Sequence, residues 1–214
     1  MTKVCKWKRF KEFGVTNEIW KEIDPVLIDE YPWDENGYKP RVEVRFLYTE
    51  SALHLHFTSF EKEILARYKN MNEPVYTDSC VEFFFNADPK KDNRYFNFEI
   101  NAIGTLLLGF GSNRDDRIMV EDVFQDLFNI KSSVDRDKAD QYSDDQWILE
   151  FSIPYSFIEK YYGKQNFEAG KKMKGNFQKC GDNTKFPHYG CWNRIDIPEA
   201  DFHRPEYFGE LILE

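Results

Sequence analysis

A row of acids and amides at strand spacing marks the stretch of this chain that could do chemistry. Glu82 lies in the segment from Tyr76 to Asn86, and Asn97, Glu99 and Asn101 lie in the segment from Tyr95 to Asn101. Carboxylates accept hydrogen bonds and side-chain amides both donate and accept, which suits the hydroxyls of a sugar. Tyr76, at the entrance of the row, supplies an apolar platform for a sugar ring. A second chemistry is open to the same residues. Directly opposed side chains on neighbouring strands have Cβ atoms about 4.5–5.5 Å apart. That is compatible with the roughly 5–5.5 Å carboxyl separation of retaining glycoside hydrolases, with Glu82 and Glu99 as the pair. A third reading is a polar sheet face whose groups bond one another and water. The absence of Lys from these positions sets the row apart from an ordinary solvated face.

Two antiparallel strands joined by a loop position these groups. Both arms are rich in aromatic and β-branched residues, and the connector from Ala87 to Asn93 is polar with one Pro. Side chains alternate between the faces of a strand. Val81, Phe83 and Phe85 therefore share a face with Phe96, Phe98 and Ile100, as an apolar inner wall. Cys80 and Glu82 fall on the opposite face with Asn97, Glu99 and Asn101.

The rest of the chain reads as further strands. Val42, Val44, Phe46 and Tyr48 alternate with polar residues, as do Leu53, Leu55 and Phe57. His54 and His56 share one face; with no third ligand nearby they read as solvated histidines rather than a metal pair. Strands are expected at Val26 to Asp29, Thr105 to Phe110, Phe128 to Val134, Gln146 to Ile153, Lys172 to Cys180 and Phe208 to Leu213. Tyr155 to Tyr162 reads as a helical turn closed by Gly163. Nine or ten strands with almost no helix point to an all-β antiparallel sandwich. No linker or internal repeat divides the chain, so residues 1–214 read as one domain.

Composition narrows the function classes. Aromatics make up 17% of the 214 residues, with 20 Phe, 12 Tyr and 5 Trp, enough to fill a sandwich core. The formal charge of −9 argues against a nucleic-acid partner, which needs clustered Lys and Arg. Lys171, Lys172 and Lys174 are the densest basic group and read as solvated. No apolar run approaches the roughly 18 residues of a membrane helix, and the first residues lack a signal-peptide core. The sequence as it stands reads as cytoplasmic, or as extracellular or periplasmic if a leader has been removed. Cys5, Cys80, Cys180 and Cys191 follow no close zinc or redox spacing. They read as free thiols, with Cys180 and Cys191 as the one candidate pair. No cofactor is expected, and no nucleophile–His–Asp set or phosphate loop is present.

Several motifs resemble a known family. The runs Asp78 to Phe84, Asn97 to Asn101 and Gly104-Thr105 are similar to the family 9 carbohydrate-binding modules, in particular their single-domain bacterial relatives. Gly175 to Phe177, Cys180 to Asp182, Pro187-His188, Trp192 and the closing run from Phe202 to Leu211 fit the same pattern. The resemblance spans roughly Trp20 to the end. It implies a sandwich of immunoglobulin-like or jelly-roll-like arrangement that binds sugars without cleaving them, in the setting of polysaccharide degradation. It further implies a clamp of two aromatics, here Tyr76 and Phe202. Family hydrogen-bonding positions fall on Glu82 and Asn101. A family arginine falls on Glu99, and a family asparagine on Glu199. Arg204 and Trp192 are candidates for the rim, though Trp192, like Phe202, has core packing as its other reading. Some members of the family hold structural calcium, but no acidic loop here shows a regular ligand spacing. Three alternatives stand beside this one. They are hydrolysis at Glu82 and Glu99, a haem-carrying domain with Met and His ligands, and an interaction scaffold with a vestigial sugar site. Oligomeric state is not encoded in any of these motifs.

Overall fold

In β10 (Trp147–Pro154) every second residue is buried, and Trp147, Leu149, Phe151 and Ile153 form one apolar edge-on row. The same period builds β3 (Val42–Tyr48) and β4 (Ala52–Ser59), which pair antiparallel with each other, β4 then pairing with β10. The computed structural model describes residues 2–11, 18–61 and 63–214. Short strands β2 (Val26–Ile28) and β9 (Lys131–Ser132) flank this half, on β3 and β10. The other half carries the acid–amide row. There β5 (Cys80–Asn86), β6 (Tyr95–Asn101), β7 (Leu106–Gly111) and β8 (Ile118–Met119) run as a meander. β11 (Lys172–Cys180) pairs with β5, with β13 (Gly209–Leu213) and with the short β12 (Tyr189–Cys191).

The two halves are joined by a strand that the sequence did not announce. β1 (Val4–Arg9) runs parallel to β13 through Val4–Trp7 and parallel to β3 through Lys8 and Arg9. The sheet is therefore mixed and curled, which corrects the expectation of purely antiparallel pairing. The physical reason is plain. Alternation of Cys5 and Trp7 with Lys6 and Lys8 encodes which side faces inward, and nothing about strand direction. Trp7 shows the role of β1, since its ring stacks on Phe46 at 4.8 Å and lies 6.0 Å from Phe83 on the facing half.

Between the halves lies a layer of aromatic rings. Phe177 is 5.6 Å from Phe46 and 6.2 Å from Phe57, and Phe98 is 6.0 Å from Phe151. Such pairs add about 0.5–1.5 kcal/mol each beyond the area they bury. The helix α1 (Tyr155–Tyr162) closes one end, with Phe157 packed at 5.0 Å from both Phe96 and Phe128. Phe128 itself sits in a helical turn before β9 rather than in the strand expected there. His56 corrects another expectation. It is 8% exposed, lies 5.2 Å from the Trp20 ring and 3.7 Å from Glu150. Burial first, then Arg45, pushes its pKa down to about 4. His54 is half-buried, with its Nε2 3.1 Å from the Thr49 hydroxyl.

Lys179, at the end of β11, points inward and is fully buried. Its ammonium lies 3.1 Å from the Glu61 carboxylate and donates to His188 Nε2 at 2.8 Å and to the Cys180 carbonyl at 3.0 Å. Glu61 also accepts from Ser79 Oγ at 2.9 Å and Trp147 Nε1 at 3.0 Å. Burial works to raise the Glu61 pKa, but Lys179, His188 and these donors outweigh it and hold it below the usual carboxylate range. His188 is kept neutral, at about 3, by burial and by Lys179. Since a lysine only donates, Nε2 of His188 accepts and its Nδ1–H donates to the Phe186 carbonyl. This cluster ties β10 and β11 to the chain just after β4 and just before β5.

Candidate functional site

Every residue of β5 and β6 is buried, on both faces. The polar outer face is not open to water along its length, because the chain from Gly181 to Phe208 folds back over it. Cys80, Phe84, Tyr95, Cys180, Ile195, Phe202 and Phe208 form a second apolar cluster there. What remains accessible is a cavity of about 160 Å³. Glu82 and Glu99, direct neighbours across β5 and β6, and Cys180 of β11 form its floor. Tyr76, from the turn before β5, Tyr189 and Phe202 stand around it, with Arg114, Arg117, Asp182 and His203.

The floor is electrostatically unusual. Burial first, then the Glu99 charge, raises the Glu82 pKa well above the ordinary carboxylate value. Burial raises Glu99 to about 7, against the opposing pull of Arg117. Burial likewise takes Asp182 to about 6. Two like-charged groups in contact cannot both ionise cheaply, so the pair retains a proton near neutrality. Glu82 Oε1 accepts from the Cys180 thiol at 2.9 Å, and Oε2 has no partner among the described residues. Gln178, opposite Glu82 on β11, has neither amide atom bonded. Glu99 accepts from Asn97 at 2.8 Å and pairs with Arg117 at 3.3 Å. Arg117 also donates to His203 Nε2 at 2.7 Å, which leaves His203 Nδ1–H to donate to the Tyr95 hydroxyl at 2.8 Å. His203 is thereby held neutral, at about 3, by burial, Arg117 and Arg114. The site offers unspent acceptors and a protonated carboxyl, framed by fixed rings.

Of the residues singled out in the sequence, Tyr76, Glu82, Glu99 and Phe202 meet at this cavity. Tyr76 and Phe202 lie 126 positions apart in the chain, from the difference of their numbers, yet belong to one apolar cluster. Asn101 is not among the lining side chains. Its amide donates to the Tyr68 carbonyl and to Asp78, and its oxygen accepts from Thr105 N–H. Its place at the strand's last position turns it toward the Asp78 turn, which it locks. Trp192 is likewise in the core, 3% exposed, with its ring 5.6 Å from Phe177 and pressed on Gly209. A Cβ on Gly209 would fall 2.3 Å from that indole, which explains the glycine in the closing motif. Arg204 lies beside the cavity rather than in it, paired with Asp201 at 3.0 Å. Glu199 lines the same shallow neighbouring depression. Cys180 and Cys191 are not a pair: Cys191 stands opposite Gln178, and Cys180 stands opposite Cys80.

Arg114, Arg117, Asp182, Tyr189 and His203 were not singled out as site residues. Arg114 and Arg117 come from a charged loop between β7 and β8, which has no period to read. Arg117 nevertheless places a guanidinium against Glu99, so the cation comes from a neighbouring loop while an acid stands on the strand. Asp182 and His203 lay inside the quoted motifs, and that membership was the available signal.

Comparison with known proteins adds an independent line. The family model described as carbohydrate-binding family 9 matches residues 18–213. A structure from Bacteroides uniformis, provisionally described as a carbohydrate-binding protein, aligns over 100% of both chains at 28% identity with a TM-score of 0.86. A family 9 module from Caldicellulosiruptor kristjanssonii in complex with glucose aligns over 99% of this chain and 96% of its own, at 13% identity and a TM-score of 0.65. The same organism's module in complex with cellotriose aligns at 12% identity and 0.65, over 99% and 94%. At that identity the last two speak to the fold, which is the β-sandwich type. A search of curated proteins finds no match.

Proposed function

This chain belongs to carbohydrate-binding family 9, and from that premise we propose that it binds the end of a glycan, without cleaving it, in the cavity between Tyr76 and Phe202. The observation that carries this reading is the convergence of two rings distant in sequence over a floor of two acids with an unpartnered oxygen. The rings offer apolar surface to the C–H faces of a sugar. Glu82 and Glu99 offer acceptors and a carboxyl proton to its hydroxyls, with Arg114, Arg117 and Asp182 at the sides. The cavity of about 160 Å³ is well below the roughly 300–1,000 Å³ of drug-sized pockets. That scale suits one ring, and hence a chain end rather than a chain interior. The glucose and cellotriose held by the Caldicellulosiruptor modules make β-glucan ends the first candidates. No helix of the described residues is long and apolar enough to cross a membrane.

Isothermal titration with glucose, cellotriose and a panel of other oligosaccharides tests the proposal. Saturable binding to at least one sugar is expected. Tyr76→Ala and Phe202→Ala should each weaken it by about tenfold or more, as expected for truncating a central aromatic anchor. No heat with any sugar at millimolar concentration would sink the reading. Glu82 and Glu99 are read as ligand-binding acids, in keeping with the family. Reducing ends released from a polysaccharide, and lost in Glu82→Gln, would reverse that assignment.

A further inference from the structure

The cavity floor also holds two thiols to which the sugar-binding reading gives no role. Cys80 and Cys180 are directly opposed across β5 and β11, and both are fully enclosed. Glu82 stands two residues along on the same face. The two sulfurs and a Glu82 carboxylate oxygen lie within 4.8 Å of one another. We propose that Cys80, Cys180 and Glu82 form a binding site for a thiophilic divalent cation of the zinc class, with one coordination position open to the cavity.

Three features favour a metal over an inert thiol pair. First, the donor set is two thiolate sulfurs and one carboxylate, which is zinc chemistry. Calcium takes six to eight oxygens, and only one carboxylate is here. Zinc–sulfur bonds of about 2.3 Å and zinc–oxygen bonds of about 2.0–2.2 Å put tetrahedral ligand atoms roughly 3.5–3.8 Å apart. The observed spread brackets this, and the 2.9 Å Cys180–Glu82 contact has to open only slightly. Second, Glu82 is 3% exposed and, among the described residues, its Oε2 has no partner, so an acceptor beside the thiols is held out of water at an energetic cost that a cation would relieve. Third, Glu82 and Cys180 also line the cavity. An ion can enter there, and water or a sugar hydroxyl can fill the fourth position.

The charge balance is favourable. A dication entering displaces the two thiol protons to solvent, so the net charge of the enclosed cluster is unchanged. When Glu82 is protonated its proton leaves as well, three in all, and the cluster then carries one more negative charge than before. Metal–sulfur and metal–oxygen bonds form, sulfur–hydrogen bonds break, and no oxidant or reductant takes part. The local sequence hides the arrangement, since the two cysteines are 100 positions apart by number and meet only through the β5–β11 register.

The test uses the whole chain, reduced and stripped of metal, titrated with Co²⁺ and then with Zn²⁺ in the absence of sugar. Expected are one cobalt per chain, thiolate-to-cobalt charge-transfer and tetrahedral ligand-field bands, stoichiometric bleaching by Zn²⁺, and release of at least two protons per metal. Cys80→Ser and Cys180→Ser should each lower Zn²⁺ affinity 100-fold or more, and Glu82→Gln about tenfold. Cys5→Ser and Cys191→Ser, which alter the remaining thiols, should leave the bands intact. Should a serine variant fail to fold, the band intensities and proton count of the unaltered chain still decide. Absence of charge-transfer bands in the reduced chain overturns the proposal. So does their survival in both serine variants, or a Cys80–Cys180 disulfide that resists thiol reductants in the folded protein. Because no sugar is present, the outcome is independent of the glycan-binding reading.

Discussion

Lys179→Met is expected to destabilise the fold by about 3–5 kcal/mol, a large share of a domain's total stability. The side chain is removed from full burial, and Glu61 is left as an enclosed carboxylate 1% exposed. Methionine fills the volume but donates nothing, so among the described residues Glu61 keeps only Ser79 and Trp147 as donors. Lysine's bond to His188 Nε2 is lost too, and with it the tautomer that serves Phe186. The cost should appear as a lower urea midpoint with an unchanged slope. Glu61→Gln added to Lys179→Met should recover a good part of the loss, since the stranded charge is then gone. The pair itself need contribute little; the penalty lies in separating it. A loss under 1 kcal/mol would show that water reaches this cluster.

The second large effect is a fall in stability with rising pH. Glu99, Glu82 and Asp182 all titrate higher in the fold than in the free chain: about 7, well above the ordinary value, and about 6. From about pH 4.5 upward the folded state therefore holds protons that the unfolded state has released. Stability from these groups is fullest at low pH and is lost as pH rises through their folded values. His56, His188 and His203 act the other way, being depressed to about 4, 3 and 3. Their effect is nearly complete about one pH unit above the ordinary histidine value of about 6.5. Between pH 6.5 and 8 the carboxylates outweigh what remains of the histidine effect. Stability should fall there by about 2 kcal/mol, at up to roughly 1.4 kcal/mol per pH unit for each proton released. Glu82→Gln keeps the shape, removes one of the two like charges and gives Glu99 a donor. Its melting temperature should therefore fall less steeply over this window, Glu99 and Asp182 still titrating, and exceed that of the unaltered chain at pH 8. A parallel decline in both proteins would show that the pair does not hold the proton.

The acid–amide row and the two inner apolar faces were readable because strand period is local. Val81, Phe83 and Phe85 announce their side in three residues, and β5, β6, β10 and β11 fall where alternation puts them. What alternation does not say is what lies above the polar side. Here the chain from Gly181 to Phe208 covers it, so Glu82 and Glu99 become enclosed rather than solvated, while Asn101 at the strand end spends its amide on the Asp78 turn. The fate of Trp192 was equally unreadable. An isolated indole in an irregular segment fits a rim and a core alike until Gly209 is found beneath it. Arg117 reaches Glu99 from a loop whose only visible property was its charge. The parallel β1 escaped because direction of pairing is a property of the closed sheet and of no single segment.

That first strand also has a consequence for how the molecule is made. Val4 pairs with Glu210, so β1 leaves the ribosome 206 residues ahead of its neighbour, from the difference of their numbers. At about 5–20 residues per second the delay is roughly 10–40 s. Through that interval Cys5 and Trp7 have no lasting partner on the β13 side, and the seam between the two halves stays unzipped. A nascent chain stalled before β13 should be a ready substrate for chaperones, and its emergence the event that commits the whole to its shape.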